Sequence, residues 1–396
     1  MANNTAVIQM VTKESLMVLS EKLGFLKRIN RTYDSSFAKD GAKIGDTLNI
    51  RVPGHGIVRQ GRVMNLQDLN DKTVPLQITN QFGVDLGMTS ADYALSIDEI
   101  RSRYIEPRMT DLAAAIEGSV MANVIPGIPG IVGDGGALDD FSTVLQATER
   151  LNNNLAPITP RTFMTTNSAQ RQAADAFKTY FNSQRQIADQ YEDGVMGRMG
   201  GFDWYSSSLM PTHTRGTANG GYLTNSATPQ SGSSLIVDTG TGTLTVGDVI
   251  TIAGVFDVQA QTKASLGYLK QFTVTAVFAG GGGTIQISPA IIPTGEYQNV
   301  SNAAADNQAV TVFGTSGQTW GENVAFARDA FVAAFADLPL PPKKDAARAN
   351  FQGISLRTIN DFDTVNDMFI TRVDVIFGSA VLRPELAIRI PNNPSL

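Results

Sequence analysis

Three aspartates, Asp361, Asp363 and Asp367, stand close together near the C-terminal end. Clustered carboxylates can serve as the acid and base of glycoside hydrolysis or can ligate calcium. The spacing lacks the glycine and the distal glutamate of a calcium loop, so the cluster reads as a solvated turn between strands. Asp134, Asp139 and Asp140 lie among Gly133, Gly135 and Gly136, and Asp139 or Asp140 reads as acidic charge at a helix N-terminus. The two histidines, His55 and His213, are too few for most metal sites or proton relays. Glycines flank His55 and no carboxylate is near it in sequence, which suits an exposed loop. Trp204 and Trp320 border a glycine-rich stretch and could cage a ligand, but they read as packing residues where the chain enters and leaves it. Gly280 to Gly283 separates two strand patterns without a following Lys-Ser/Thr pair, so it is a hairpin turn and not a phosphate loop. There is no cysteine, which excludes disulfides, thiolate sites and a cysteine nucleophile. No nucleophile elbow, dinucleotide fingerprint or zinc-protease helix occurs. The expectation is no catalytic residue, cofactor or metal. The alternative is a carbohydrate-binding or carbohydrate-active β-rich protein that uses the clustered aspartates.

At 396 residues, 42% apolar and 17% charged, the chain can hold two or three domains with a real core. A net charge of −6 argues against a general nucleic-acid binder. No run of eighteen apolar residues appears and Met1 to Asn4 lacks the basic start of a secretory signal, so no membrane partner is expected and the simplest compartment is a cytoplasm.

The element that must organise such a chain is its most periodic stretch, Pro107 to Asn123. Met109, Leu112, Ala113, Ile116, Val120 and Val124 recur at helical spacing, while Arg108, Asp111, Glu117 and Ser119 fall elsewhere. Proline suits the start of this helix, and Pro126 and Pro129 end it. A shorter amphipathic helix precedes it, with Thr12 as N-cap, Lys27 and Arg28 at its end, and Leu16, Leu19, Leu23 and Leu26 on one face. Alone it is marginal, so that face docks on its own domain or on another chain. Between the helices, Thr47 to Val52 and Val74 to Leu86 read as two strands joined by about twenty mostly polar residues. A loop of that length needs a job, and a lone two-stranded arm needs a partner surface. Ser96, with Glu99 three residues on, forms a capping box before the long helix.

Two further helices are expected, Leu138 to Leu151 with Leu138, Phe141, Leu145, Thr148 and Leu151 on one face, and Ser168 to Tyr180 with Ala173, Phe177 and Tyr180. Arg161 to Thr165 is a strand between them, an α+β arrangement. From His213 to Gly317 only 3 Lys or Arg and 5 Asp or Glu occur, with 16 of the 37 glycines. Short alternations at Ser234 to Val237, Asp248 to Ile252, Gln271 to Phe278, Thr284 to Ser288 and Ala309 to Phe313 predict a small antiparallel barrel or sandwich looped out of the parent domain. Ile354 to Ile359, Asp367 to Phe377 and Ala380 to Ile390 read as strands that pair as a meander to close it.

The residues also carry a resemblance. Gly45-Asp46-Thr47-Leu48-Asn49-Ile50-Arg51, Val84-Asp85-Leu86 to Ser96-Ile97-Asp98 and Tyr104-Ile105-Glu106-Pro107 resemble the hairpin and spine-helix approach of the tailed-bacteriophage coat proteins whose prototype infects Salmonella. Gly201-Phe202-Asp203-Trp204-Tyr205 through Pro211-Thr212-His213-Thr214 is similar to that family's entry to its inserted domain. Gly353-Ile354-Ser355-Leu356-Arg357, Asp361-Phe362-Asp363, Ile370-Thr371-Arg372-Val373-Asp374-Val375 and Leu382-Arg383-Pro384-Glu385-Leu386-Ala387 continue the match to the end of the chain.

The resemblance implies a Hong Kong 97-like phage capsid fold with an inserted antiparallel β-barrel domain. Residues 1–33 would be the N-terminal arm, 34–95 the extended hairpin region, and 96–212 the spine helix, peripheral domain and part of the axial domain. Residues 213–317 would be the inserted barrel and 318–396 the rest of the axial domain. The prototype's insert carries a charged loop that contacts neighbouring capsomers, whereas Gly216 to Val237 here has no charged residue. The implied function is a major capsid protein that self-assembles as hexamers and pentamers around double-stranded DNA, in the host cytoplasm. A scaffolding protein, the portal and decoration proteins would be its partners. Expected inter-subunit contacts are Leu16, Leu19, Leu23, Arg51, Arg59, Arg62, Lys72, Arg101, Arg103 and Arg108.

Overall fold

A computed structural model describes residues 2–34, 47–52, 61–62, 64, 72–89, 104–177, 196–342, 344–364 and 368–393. Among them four α-helices and twenty strands form an α+β chain. Helix α1 spans Ala2–Lys22, whose 21 residues contain no glycine or proline to stop it. Thr12, expected as its N-cap, therefore lies inside the helix and is 1% exposed. Strands β1 (Asn30–Asp34), β2 (Thr47–Val52), β3 (Lys72–Gln77) and β4 (Asn80–Thr89) follow. β3 and β4 replace the single strand expected from Val74 to Leu86, because the chain changes sheets at the fully buried Ile78. Gly378 permits that crossing, since a Cβ there would collide with the Gln77 carbonyl.

The long helix, α2, spans Glu106–Val124, and every residue of its predicted stripe from Met109 to Val124 is at most 3% exposed. Helix α3 (Phe141–Asn153) is capped by Asp140, whose carboxylate accepts from the Ser142 N–H at 2.8 Å. Its buried face is Val144, Ala147 and Leu151, while Leu145, placed on that face by spacing, is 48% exposed. Strand β5 (Arg161–Thr165) and helix α4 (Asn167–Phe177) come next; Ala173 and Phe177 are buried and Tyr180 lies outside the described residues. The strands β6 (Arg198–Met199), β7 (Phe202–Ser206) and β8 (Thr212–Thr214) precede β9 (Tyr222–Leu223), β10 (Gly232–Val237), β11 (Val249–Val258), β12 (Ser265–Val274), β13 (Gly283–Ile291) and β14 (Ala309–Val312). The remaining six are β15 (Thr319–Ala327), β16 (Phe331–Ala336), β17 (Asp345–Phe351), β18 (Ile354–Asp363), β19 (Met368–Val381) and β20 (Ala387–Asn392).

The chain divides into two compact units. One combines Met1–Ile50, Thr73–Met121 and Phe331–Ala380. Its sheet has the order β1-β16-β19-β18-β17, with β4 also on β19. Helix α1 lies against β17 and β18. Phe25 meets Phe331 at 5.8 Å, and Phe377 meets both Phe82 and Phe335 at 5.2 and 6.1 Å, so aromatic rings fill this core.

The other unit combines Arg51–Lys72, Ala122–Ala330 and Val381–Leu396. It holds a sheet of order β20-β15-β5-β7-β6, with β8 on β15, and a second sheet of order β10-β13-β12-β11-β14-β9. A bridge between Thr224 and Val237 brings the last strand of the second sheet back to the first, which nearly closes a barrel. Alternate residues point inward, among them Tyr222, Leu235, Ile250, Phe272, Ile285 and Val310, as the period-two pattern requires. The final strand departs from the expected meander. The N–H groups of Leu382 and Arg383 both donate to the Ala330 carbonyl, Pro384 has none to offer, and β20 then pairs with β15.

Candidate assembly surfaces

Leu16, Leu19 and Leu23, expected to wait for a neighbouring subunit, are 2%, 0% and 2% exposed within this chain. Within the chain, α1 lies against β17 and β18. The turn after α1 is fixed by a residue that periodicity set aside. Glu117, 5% exposed on α2, accepts N–H bonds from Gly24 at 2.6 Å and Leu26 at 3.1 Å. Burial pushes its carboxyl above the ordinary range, against the N–H bonds and the nearby Arg28 charge, which pull the other way.

Of the expected cations, Arg51 on β2 and Arg62 are exposed, and Lys72 opens β3. Arg59, Arg101 and Arg103 lie outside the described residues. Arg108 is exposed on α2 and donates to the Asp85 carbonyl of β4 at 3.2 Å. β2 and β3 form a two-stranded sheet of their own, and Met64, between them in sequence, is 70% exposed.

Near Asp85 the sheet carries an ion ladder. Arg348, Arg357, Asp374 and Gly83 share one rung across β17, β18, β19 and β4. Asp374, 2% exposed, accepts from Arg357 Nη2 at 2.5 Å and from Arg372 Nε at 2.9 Å. The Asp374 bond raises the Arg372 pKa above its usual value. Gly83 makes the room: a Cβ there would stand 2.6 Å from Asp374 Oδ1.

A second polar cluster fastens the barrel to its parent sheet. His213 Nε2 and Asp248 Oδ1 are 2.9 Å apart, and the same carboxylate accepts from the N–H groups of Thr245 at 2.8 Å and Gly216 at 3.1 Å. Burial alone pushes the Asp248 carboxyl up, but the His213 bond and the two backbone N–H groups outweigh it and hold it below the ordinary range. Arg389 of β20, 1% exposed, donates to Glu322 Oε1 at 3.2 Å and to the Gly247 carbonyl at 2.7 Å. Trp320 donates its indole N–H to Glu322 at 3.0 Å and packs near His213 and Phe313. Gln271 on β12 exchanges two 2.9 Å bonds with the backbone of Ile131, and Thr273 donates to the Pro126 carbonyl at 2.8 Å. Trp204 packs elsewhere, on Phe163 and Phe177, so the two tryptophans form no common cage.

Of the aspartates offered for acid–base chemistry, one has a defined partner. Asp361 sits on β18 and accepts from Lys344 at 2.5 Å; that bond, then the Phe362 N–H, lowers its pKa, the wrong direction for a general acid. Asp367 lies outside the described residues. No group of three potential metal ligands occurs among the described residues, and no described helix is long and apolar enough to cross a membrane.

The described residues thus offer a long helix with a buried stripe, a separate two-stranded ribbon, a nearly closed barrel and polar clusters that act as fasteners, an architecture without a catalytic constellation among them. Residues 1–390 match the family described as P22 coat protein, gene protein 5, and the chain belongs to that family. It is a major capsid protein, a component of the virion shell. Solved structures that the chain matches include Mycobacterium phage Che8, at 12% identity and TM-score 0.43 over 92% of this chain and 89% of that one. The capsid of cyanophage P-SCSP1u gives 12% identity and TM-score 0.44 over 92% and 86%, and the satellite phage P4 procapsid 8% and 0.41 over 96% and 90%. No curated protein matches the sequence.

Proposed function

We propose that copies of this chain tile as hexamers and pentamers into an icosahedral shell around double-stranded DNA. The family match over residues 1–390 carries the reading. The β2–β3 ribbon supports it, because a two-stranded sheet is marginal by itself and gains stability by lying on a neighbour. Arg51, Arg59, Arg62, Lys72, Arg101, Arg103 and Arg108 then meet carboxylates of adjoining copies. The acidic net charge of −6 suits an enclosure that does not grip phosphates tightly.

The role is structural and without catalysis. Residues 1–33, 34–95, 96–212, 213–317 and 318–396 serve as arm, extended loop, spine with peripheral domain, inserted barrel and axial remainder. Gly216 to Val237 has no charged residue, so this stretch supplies no ion pair between capsomers. Assembly takes place in the bacterial cytoplasm, with a scaffolding protein, the portal and decoration proteins as partners. Negative-stain microscopy of the purified chain at rising concentration tests this. Shells, tubes or capsomers are expected, and a protein that stays monomeric throughout overturns the reading.

A further inference from the structure

The barrel holds the chain's single Asn-Gly pair, Asn219 and Gly220. The pair lies in the turn that leads into β9, with Asn219 exposed. The turn is held at its two ends: the Ala218 N–H donates to the Thr243 carbonyl at 3.0 Å and the Thr239 hydroxyl to the Gly221 carbonyl at 2.7 Å. Asn219 donates its own N–H to the Thr241 carbonyl at 3.3 Å. Its side-chain amide and the Gly220 N–H have no hydrogen-bond partner among the described residues. A Cβ placed on Gly220 would meet nothing within 4 Å, so space surrounds the peptide that joins the two residues.

An amide nitrogen that is neither bonded nor crowded can turn on the side chain before it. Once base has removed its proton, the Gly220 nitrogen attacks Asn219 Cγ, the bond from Cγ to the side-chain nitrogen breaks, and that nitrogen leaves as ammonia with a proton from water. Water then opens the five-membered imide at either carbonyl, which gives aspartate or isoaspartate. Nothing is oxidised or reduced, and water is the co-reactant. Two other asparagines of the barrel lack this freedom. Asn225 precedes Ser226, whose N–H donates to Asp306 Oδ1 at 3.0 Å, and Asn307 precedes Gln308, whose N–H donates to Thr224 Oγ1 at 2.8 Å. Giving up such a bond before the attack slows the step by roughly tenfold.

We propose that Asn219 is a site of spontaneous modification, converted to aspartate and isoaspartate in the folded chain ahead of Asn225 and Asn307. The product places a negative charge in the stretch from Gly216 to Val237, whose sequence has none. The chemistry belongs to the barrel of a single chain and does not depend on assembly.

The test ages the purified full chain at pH 8 and follows its peptides by mass spectrometry, with an isoaspartyl methyltransferase label to mark the rearranged product. The Asn219 peptide is expected to convert about tenfold faster than those of Asn225 and Asn307. Isoelectric focusing gains an acidic band over the same interval. Asn219→Gln is slow to gain that band, because its longer side chain must close a six-membered ring. An Asn219 peptide that stays an amide, or that converts no faster than the other two in the folded chain, overturns the proposal. Should Asn219→Gln not fold, the peptides of the parent chain alone decide.

Discussion

Arg389 and Glu322 face each other at 3.2 Å from the paired strands β20 and β15, with side chains 1% and 2% exposed. Such a pair gains little over a well-packed apolar pair, but breaking it leaves a charge sealed from water. Glu322→Ala is therefore expected to lose about 3 kcal/mol in urea unfolding. Replacing both residues by apolar side chains should restore most of that loss, and a double variant no more stable than the single one would count against this account.

Asp248 gives the base of the barrel an acid-sensitive fastening. Its folded pKa lies below the ordinary 3.8, so the unfolded chain binds the proton first. Stability from this group is present above 3.8 and is lost as pH falls through the folded value. Melting temperatures of Asp248→Asn and the parent should differ most near neutral pH and converge in strong acid.

Glu117 has the opposite sign. Burial raises its folded pKa above 4.5, so its titration contributes stability below 4.5 that is lost as pH rises through the folded value. Glu117→Ala leaves the Gly24 and Leu26 N–H groups without this acceptor and should cost about 1–3 kcal/mol. The cost should be larger at pH 4 than at pH 8 when both variants are melted, and an increase with pH would contradict the assignment.

Gly83→Ala places a methyl 2.6 Å from Asp374 Oδ1 and 2.8 Å from the Val373 carbonyl. Overpacking of this kind costs about 1–3 kcal/mol. Hydrogen exchange should show faster opening of β4 and β19 in this variant than in the parent.

Reversing Arg62 to glutamate touches an exposed position, where a change in folding stability stays within about 0.5 kcal/mol. The expected outcome is a normal melt with less particle formation. Normal assembly would remove this cation from the inter-subunit contacts.

Much of the fold was legible because local periodicity records burial. The stripe from Met109 to Val124 has helical spacing and is buried as expected. The barrel strands β10, β13 and β14 fall on the expected alternations, while β12 begins at Ser265 and ends at Val274 where Gln271 to Phe278 was expected. The family, too, was legible, since the resemblance and the family match both run along nearly the whole chain. Leu145 shows the limit: spacing defines a face only to within about a turn, and the packed residues are Val144 and Ala147.

By itself, the sequence determined which stretches curl or extend, where glycine and proline interrupt them, and that no cysteine chemistry is available. Only the tertiary structure decided that α1 is covered by its own chain, that β20 joins β15, and that Glu117, Asp374 and Arg389 are buried. The physical reason is that burying a charged group depends on the partner that meets it. Gly24 is 93 residues from Glu117 in sequence and Glu322 is 67 from Arg389, so no local pattern records either meeting.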